Sequence, residues 1–204
     1  MKRYETRNCL LCNSSLNEPI TWKLFLTNTF PKTICLECEQ KFEFYNPSQQ
    51  EEQDIISLYK YNDMMKDFIH RYKFMHDVIL AKVFRQQIHE HLAKTKAIIV
   101  PIPIHPEKLK ERTFAHVDQL LKEANIPFQH YLEKITTDTQ VGKTRQQRIN
   151  SPQLFRTTEN VDIKGKEFLL VDDIYTTGTT ILHAKTTLFK AGAKRVAAFT
   201  LIRG

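Results

Sequence analysis

Apolar side chains recur every three or four residues in several stretches of this chain, which is the spacing of one face of a helix. Three such stretches cover residues 62–73, 77–93 and 111–124. A fourth predicted helix covers 179–191, and Gly192 behind it is the residue type that most often ends a helix. The pattern therefore predicts four helices.

Short apolar runs alternate with these helices. Residues 97–100, 166–171 and 195–202 are rich in Val, Ile, Leu, Ala and Phe, which is typical of strands that are buried on both faces. Residues 125–160 show only a weak pattern. Because parallel strands need crossover connections, which are usually helices, the alternation predicts an α/β fold. We expect a mainly parallel sheet with helices on both faces.

Four cysteines stand in two pairs near the N-terminus, Cys9-x-x-Cys12 and Cys35-x-x-Cys38, with 22 residues between the pairs. Each pair can present two thiolates to one metal ion, and two pairs complete a tetrahedral site. A segment of this size buries little apolar surface, so metal binding would supply its folding free energy. The pattern predicts a structural zinc ribbon. The alternative is two independent buried or redox-active cysteine pairs.

A polar stretch, residues 46–53, follows the second cysteine pair and is typical of a linker. We therefore predict a boundary near residue 50, with a zinc-ribbon domain over 1–50 and an α/β domain over 51–204. The chain has 204 residues, which is enough for one ordinary domain and a small module.

Net charge and hydropathy indicate the class of partner and the cellular location that we expect for this chain. Lys and Arg number 30 against 23 Asp and Glu, and the formal net charge of +7 favours anionic partners such as phosphates, nucleotides or nucleic acid. No apolar run approaches the roughly 18 residues of a membrane span, and the N-terminus lacks the apolar stretch of a signal peptide. We expect a cytoplasmic protein, in which thiols stay reduced.

Two adjacent acids, Asp172 and Asp173, follow the strand predicted at 166–171. Ligands of parallel α/β sheets bind at the carboxyl ends of the strands. Adjacent carboxylates repel each other and need cations or hydroxyl donors nearby, and a ribose diol with Mg²⁺ close by would satisfy them. The turn that follows can surround a phosphate with hydroxyl and backbone N–H groups at a helix N-terminus. It consists of Thr176, Thr177, Gly178, Thr179 and Thr180.

Residues 168–180, FLLVDDIYTTGTT, closely resemble the phosphoribosyl-pyrophosphate (PRPP) signature of type I phosphoribosyltransferases. The resemblance implies that the acids bind the ribose of Mg²⁺-PRPP and that the threonine turn binds its 5′-phosphate. A competing interpretation is a P-loop, because residues 142–144 read G-K-T. The glycine that a P-loop needs five residues earlier is Thr137, however, so we favour the PRPP site.

Further groups could contact the phosphates of such a ligand. In type I phosphoribosyltransferases a loop after an earlier strand holds pyrophosphate, and the turn containing Pro101 and Ile102 matches that position. The alternative is a rigid connector. We also predict a phosphate contact from Arg112, because a guanidinium matches phosphate oxygens in a bidentate manner.

Residues 139–150 contain three cations and no acid. Lys143 and Arg145 in this segment are candidates to close over the pyrophosphate and exclude water. They could equally contact a nucleic-acid backbone or belong to an ordinary exposed loop.

The motifs together resemble the ComF family of competence-associated, phosphoribosyltransferase-like proteins over essentially the whole chain. The matching segments are the cysteine pairs, V-P-I-P-I-H, R-T-F-A-H, T-Q…R…R-I-N with Phe155, and VDDIYTTGTT. The resemblance implies a role in natural transformation, on incoming single-stranded DNA beside a helicase-like translocase. The family usually reads R-G-F-N-Q where this chain reads R-T-F-A-H over residues 112–116. Arg112 and Phe114 are kept. Thr113, Ala115 and His116 replace the glycine, asparagine and glutamine.

The leading hypothesis is a competence protein that binds PRPP or a related ribose 5-phosphate and handles single-stranded DNA. The alternative is an active phosphoribosyltransferase that transfers ribose 5-phosphate to an unidentified base or amine. The sequence offers no convincing general base and no segment that defines an acceptor, so it identifies no catalytic residue.

Overall fold

The computed structural model describes residues 8–16, 30–46, 54–135 and 154–204. Four strands form a parallel sheet, and a small antiparallel pair lies beside it. In chain order the strands are β1 (Ile55–Lys60), β2 (Ile98–Pro101), β3 (Leu132–Lys134), β4 (Phe155–Thr157), β5 (Glu167–Tyr175) and β6 (Arg195–Arg203). The parallel sheet has the order β1-β6-β5-β2, so β5 lies in its interior, and β3 pairs with β4.

Helices connect most of these strands. In chain order they are α1 (Leu36–Glu39), α2 (Asp63–Phe74), α3 (Arg85–Leu92), α4 (Pro106–Arg112), α5 (His116–Glu123) and α6 (Thr179–Lys190), with a 3₁₀ turn at Val78–Lys82. Within the described ranges, no helix is both long enough and apolar enough to cross a membrane.

Successive side chains of β5 belong to two different apolar cores, because neighbouring residues of a strand point to opposite faces. Leu170 belongs to a core that contains Leu188 of α6 and Phe155 of β4. Val171 belongs to a second core that contains Phe68 of α2 and Leu121 of α5. Helices therefore cover both faces of the parallel sheet, which confirms the α/β architecture predicted from the sequence.

Two helices predicted from apolar spacing are interrupted in the structure. The stretch 77–93 contains the 3₁₀ turn and then α3, and the stretch 111–124 contains the end of α4 and then α5. Thr113 causes the second break, because its φ of 65° is left-handed and cannot continue a right-handed helix. Apolar spacing alone does not reveal such a break, since both pieces keep their apolar faces.

The strands also differ from the sequence prediction at several points. Strand β1 at the sheet edge and the short pair β3–β4 were not predicted. Strand β5 continues to Tyr175, so Asp172 and Asp173 lie within the last residues of the strand and not after its end. At the other end of this crossover the prediction is confirmed, since Gly192 follows α6 with a φ of 97°.

The cysteine module shares its core with the α/β part of the chain. Cys9, Cys38 and Phe42 are buried in the same cluster as Tyr59 of β1 and Phe84 before α3. The ring of Phe42 lies 4.9 Å from that of Phe84, measured between centroids. The predicted boundary near residue 50 falls outside the described residues and stays a prediction.

Candidate functional site

The two adjacent acids lie close to the carboxyl end of β5, between β2 and β6. Asp173 is 2% exposed and Asp172 is partly buried. The backbone N–H of Asp173 donates to Oδ1 of Asp172 at 2.9 Å, which fixes the Asp172 carboxylate against the strand. Two carboxylates are thus held together where a parallel sheet usually receives its ligand.

Lys73 supplies the positive charge that this pair requires. Its ammonium forms an ion pair with Oδ2 of Asp173, and the two side chains are 10% and 3% exposed. Burial alone raises the pKa of Asp173, but the positive charge of Lys73 and its contact with the carboxylate more than offset this and lower it. Burial and the neighbouring Asp173 raise the pKa of Asp172. The two acids therefore differ, with Asp173 the more firmly ionised.

His116 and Arg112 extend this arrangement. His116 is buried, and its Nε2 lies 3.4 Å from Oδ2 of Asp173. Its other ring nitrogen, Nδ1, lies 3.3 Å from a terminal nitrogen of Arg112. The Arg112 guanidinium also lies over the ring of Phe74, 5.5 Å from its centroid. Arg112, predicted as a phosphate contact, is thus linked to Asp173 through one side chain.

The carboxylates and His116 bring one possible metal-ligand atom each within 4.8 Å of one another. The ammonium of Lys73 already contacts the Asp173 oxygen that faces His116. A divalent ion held by all three groups would have to compete with that ammonium. The arrangement therefore suits hydroxyl donors on a ligand better than a protein-held metal ion.

The threonine turn connects β5 to α6. Gly178 precedes the helix with a φ of 73°, which only glycine adopts readily. The hydroxyls of Thr177 and Thr179 lie 3.0 Å apart. Thr176 and Thr177 are exposed, so the turn presents hydroxyl groups to solvent next to the N-terminus of a twelve-residue helix. Such a turn favours an anion, by hydrogen bonding and by the helix dipole.

The ring of Tyr175 packs against the backbone of the turn at Gly178. A Cβ added at Gly178 would overlap the hydroxyl end of the Tyr175 ring. That ring is itself covered by the guanidinium of Arg203, 4.1 Å from its centroid. The close approach of Tyr175, together with the positive φ, explains why glycine stands at position 178.

The predicted pyrophosphate turn lies beside the acids because β2 pairs with β5. Pro101 is in register with Val171, and the N–H of Ile102 donates to the carbonyl of Val171 at 2.8 Å. Pro103, Ile104 and Pro106 then border an open cavity of about 630 Å³ that Lys134 and Arg156 also line. Lys143 and Arg145, the other predicted phosphate contacts, lie outside the described residues.

Lys134 of β3 is a cation that the sequence did not single out. Burial lowers its pKa, while the charge of Asp172 opposes that shift and those of Lys108 and Arg112 add to it. Lys108, Arg112 and Asp172 are therefore close enough for their charges to act on the Lys134 ammonium. The three cations together are suited to the several negative charges of a pyrophosphate.

The four cysteines converge on one point. Their sulfur atoms all lie within 4.8 Å of one another, and the sulfurs of Cys12 and Cys35 are 3.6 Å apart. Tetrahedral Zn–S bonds of about 2.3 Å place the sulfurs about 3.8 Å apart, so the cluster fits a Cys₄ metal ion. Hydrogen bonds from Ser14 lower the pKa of Cys12 to about 6, which favours the thiolate that a metal binds.

Arg71 connects the segment between Cys9 and Cys12 to the α/β part of the chain by hydrogen bonds. Its guanidinium donates to the carbonyls of Leu10 and Leu11 at 3.0 and 3.1 Å, and it pairs with Asp77 at 3.0 Å. Lys73 stands two residues further along the same helix, α2. One helix therefore contacts both the cysteine cluster and the acidic pair.

Comparison with known proteins identifies relatives of this chain. Residues 81–204 match the phosphoribosyl transferase domain family. The chain is 33% identical to Competence protein ComFC of Streptococcus pneumoniae (strain ATCC BAA-255 / R6), over 96% of this chain and 99% of that protein. It is 30% identical to Competence protein ComFC of Bacillus subtilis (strain 168), over 96% and 94%.

Among solved structures, the glutamine phosphoribosylpyrophosphate amidotransferase of B. subtilis superposes with a TM-score of 0.41 and 17% identity. The match covers 65% of this chain and 30% of that one. The two relatives match along nearly their full lengths, and the domain match covers more than half of the chain. This chain therefore belongs to the ComFC family of competence proteins and carries a phosphoribosyl transferase domain.

Proposed function

We propose that this chain binds PRPP, or a closely related ribose 5-phosphate, in the site formed by the end of β5 and the turn before α6. One observation carries the proposal: a buried pair of carboxylates is followed directly by a threonine turn that opens at a helix N-terminus. Hydroxyl donors suit the carboxylates, and a phosphate suits the turn. A ribose 5-phosphate carries both groups on one small molecule.

Asp172 and Asp173 bind the ribose hydroxyls in this proposal. Asp173 is ionised and held by Lys73, so it accepts a hydrogen bond from a ribose hydroxyl without moving. Asp172 is the more exposed of the two and stands on the side of Lys134. Its raised pKa falls when a cation approaches, because a nearby positive charge favours the carboxylate.

The phosphates occupy the two ends of the site. Thr176, Thr177, Gly178, Thr179 and Thr180 surround the 5′-phosphate with hydroxyl and N–H donors. The turn after β2, with Pro101 and Ile102, receives the pyrophosphate, and Arg112 and Lys134 neutralise part of its charge. Mg²⁺ bound to the pyrophosphate would supply the remaining positive charge, since this ion prefers phosphate oxygens and one or two carboxylates.

The proposal can be tested by titration calorimetry of Mg²⁺-PRPP against two charge-matched variants. Asp172→Asn with Asp173→Asn should abolish measurable binding. Asp67→Asn with Asp162→Asn changes the net charge equally at two exposed acids, and it should bind as the unmodified chain does. Equal affinity of the two double variants would refute the site assignment.

The proposal also includes a nucleic-acid partner and a structural metal ion. The two relatives are competence proteins, and the net charge of +7 favours a polyanion, so we propose that the chain handles single-stranded DNA beside a helicase-like translocase. Zinc is the metal proposed for Cys9, Cys12, Cys35 and Cys38, in a structural role, because four thiolates leave no open coordination position.

Turnover of PRPP is the second candidate function. The cations Lys108, Arg112 and Lys134 favour it, because they could stabilise a leaving pyrophosphate. Pyrophosphate release that depends on one added base or amine would establish a phosphoribosyltransferase. Salt-dependent binding of single-stranded DNA, with no pyrophosphate released in the presence of any base, would favour a binding protein.

A further inference from the structure

His116 stands between Arg112 and Asp173 and contacts both. Its Nδ1 lies 3.3 Å from the Arg112 guanidinium, and its Nε2 lies 3.4 Å from Oδ2 of Asp173. Tyr72 donates a hydrogen bond of 2.7 Å to the backbone carbonyl of His116, and the His116 side chain is buried, so the backbone is held and the ring is packed on all sides. This residue is one of the positions at which the chain departs from the R-G-F-N-Q pattern.

The two contacts determine which ring nitrogen carries the proton. A guanidinium has only N–H donors, so Nδ1 must accept from Arg112 and cannot carry a hydrogen. In a neutral imidazole the hydrogen then resides on Nε2, which points to the ionised carboxylate of Asp173. One neutral ring therefore accepts from a cation on one side and directs its N–H towards an anion 3.4 Å away on the other.

The surroundings of the ring keep it neutral. The charged groups near the ring are Asp172, Asp173, Lys73, Arg112 and Lys134. Burial lowers the pKa of His116 to about 4, Asp173 opposes the shift, and the three cations add to it. At neutral pH the imidazole is therefore uncharged, as the donor and acceptor pattern requires.

We propose that His116 is a positioning residue for the PRPP site. It fixes the Oδ2 edge of Asp173 for the ribose and holds the Arg112 guanidinium, over Phe74, towards the phosphates. A glutamine can do the same, because its carbonyl accepts from Arg112 while its amide donates to Asp173. The departure at this position thus keeps the hydrogen-bonding pattern while changing the residue. This role rests on the proposed PRPP site.

A spectroscopic measurement tests the arrangement without any ligand. Long-range ¹H–¹⁵N correlation spectra of the full chain distinguish a protonated ring nitrogen from a bare one. At pH 7 we expect His116 to carry its proton on Nε2, with Nδ1 bare, and the assignment follows from the signal lost in His116→Gln. A proton on Nδ1, or on both nitrogens, would overturn the proposal whether or not PRPP binds.

Affinity for Mg²⁺-PRPP tests the consequence. His116→Gln should retain affinity within about 3-fold, whereas His116→Leu, which fills the space without hydrogen bonding, should lose about 10-fold to 100-fold. Retained affinity in His116→Leu, or equal losses in both variants, would contradict a positioning role. Circular dichroism shows whether each variant is folded. If the unmodified chain does not bind PRPP, the proposed function fails, while the proton position on His116 is decided separately by the spectra.

Discussion

Lys73 and Asp173 form an ion pair in which both side chains are almost wholly buried. The two residues are far apart in the sequence, since Lys73 belongs to α2 and Asp173 to β5. A buried charge without a partner is strongly unfavourable, so each residue offsets the free-energy cost of burying the charge of the other. Asp173 thereby stays ionised inside the protein. The same helix carries Arg71, which donates to the carbonyls of Leu10 and Leu11 between Cys9 and Cys12, so α2 links the cysteine cluster to the acidic pair.

Lys73→Met should destabilise the chain by about 3–5 kcal/mol, because it leaves Asp173 as an uncompensated buried charge. The free energy of unfolding in urea measures this effect. Lys66→Met, at an exposed position of the same helix, is the control and should change little. Combining Lys73→Met with Asp173→Asn should restore most of the stability, since no buried charge then remains. A double variant as unstable as the single one would show that packing, not charge, explains the loss.

Gly178→Ala should weaken PRPP binding at least about 10-fold and lower stability by more than the ~1–2 kcal/mol of a left-handed non-glycine residue. The reason is twofold, since Gly178 has a φ of 73° and a Cβ would meet Tyr175. Gly165→Ala is a matched control, because its φ is 74° and a Cβ there meets nothing within 4 Å. Calorimetric titration of both variants with PRPP should separate them, and an equal response would contradict the role of the close approach.

Thr113→Gly should stabilise the chain by about 0.5–1 kcal/mol. Thr113 has a φ of 65°, which costs a branched residue ~1–2 kcal/mol, while glycine adds about 0.5–1 kcal/mol of backbone entropy to the unfolded state. Asn125→Gly, at a φ of 54°, is the comparison, and it should gain less because asparagine tolerates this conformation. The melting temperature reports both changes, and a lower value for Thr113→Gly would contradict the strain assigned to this turn.

The stability of the unmodified chain should fall between about pH 7 and pH 4 in part because of His116. The unfolded chain takes up this proton near the ordinary pKa of 6.5, whereas the folded chain takes it up only near 4. Acid therefore favours the unfolded state in this window, by up to about 3 kcal/mol at its lower end. His116→Gln should remove that part of the pH dependence. His91→Gln, at an exposed histidine, is the matched control, and an equal change of the pH profile in both variants would contradict the assignment to His116.

Removal of the metal should destabilise the whole chain rather than the cysteine module alone. Cys9 and Cys38 share one core with residues of β1 and α3, so the loss of the cluster disturbs packing beyond it. A strong chelator should lower the melting temperature of a single cooperative transition, and added Zn²⁺ should restore it. Less than about half a zinc ion per purified chain, or an unchanged melting temperature after chelation, would contradict a structural zinc site.

The local features of this protein were predictable from the sequence because they depend on neighbouring residues. Apolar spacing predicted α2, and the stretch that ends at Gly192 predicted α6. The order of strand, acids and threonine turn predicted the position of a ligand site. The two cysteine pairs predicted one cluster, because each knuckle needs a second pair to complete a tetrahedron. Where backbone conformation interrupts a regular face, as at Thr113, the same reasoning joined two helices into one.

The partners of these features were decided only by the tertiary structure. Lys73 occupies a helix whose spacing gives no reason to expect a buried lysine, and Lys134 lies in a strand too short to be recognised. His116 was visible in the sequence as a departure from a family pattern, but its partners were not. The sequence by itself determined the acids, the threonine turn and the cysteine pairs. Folding decided which distant charges neutralise them, because burial and pairing across a core depend on positions that no local pattern encodes.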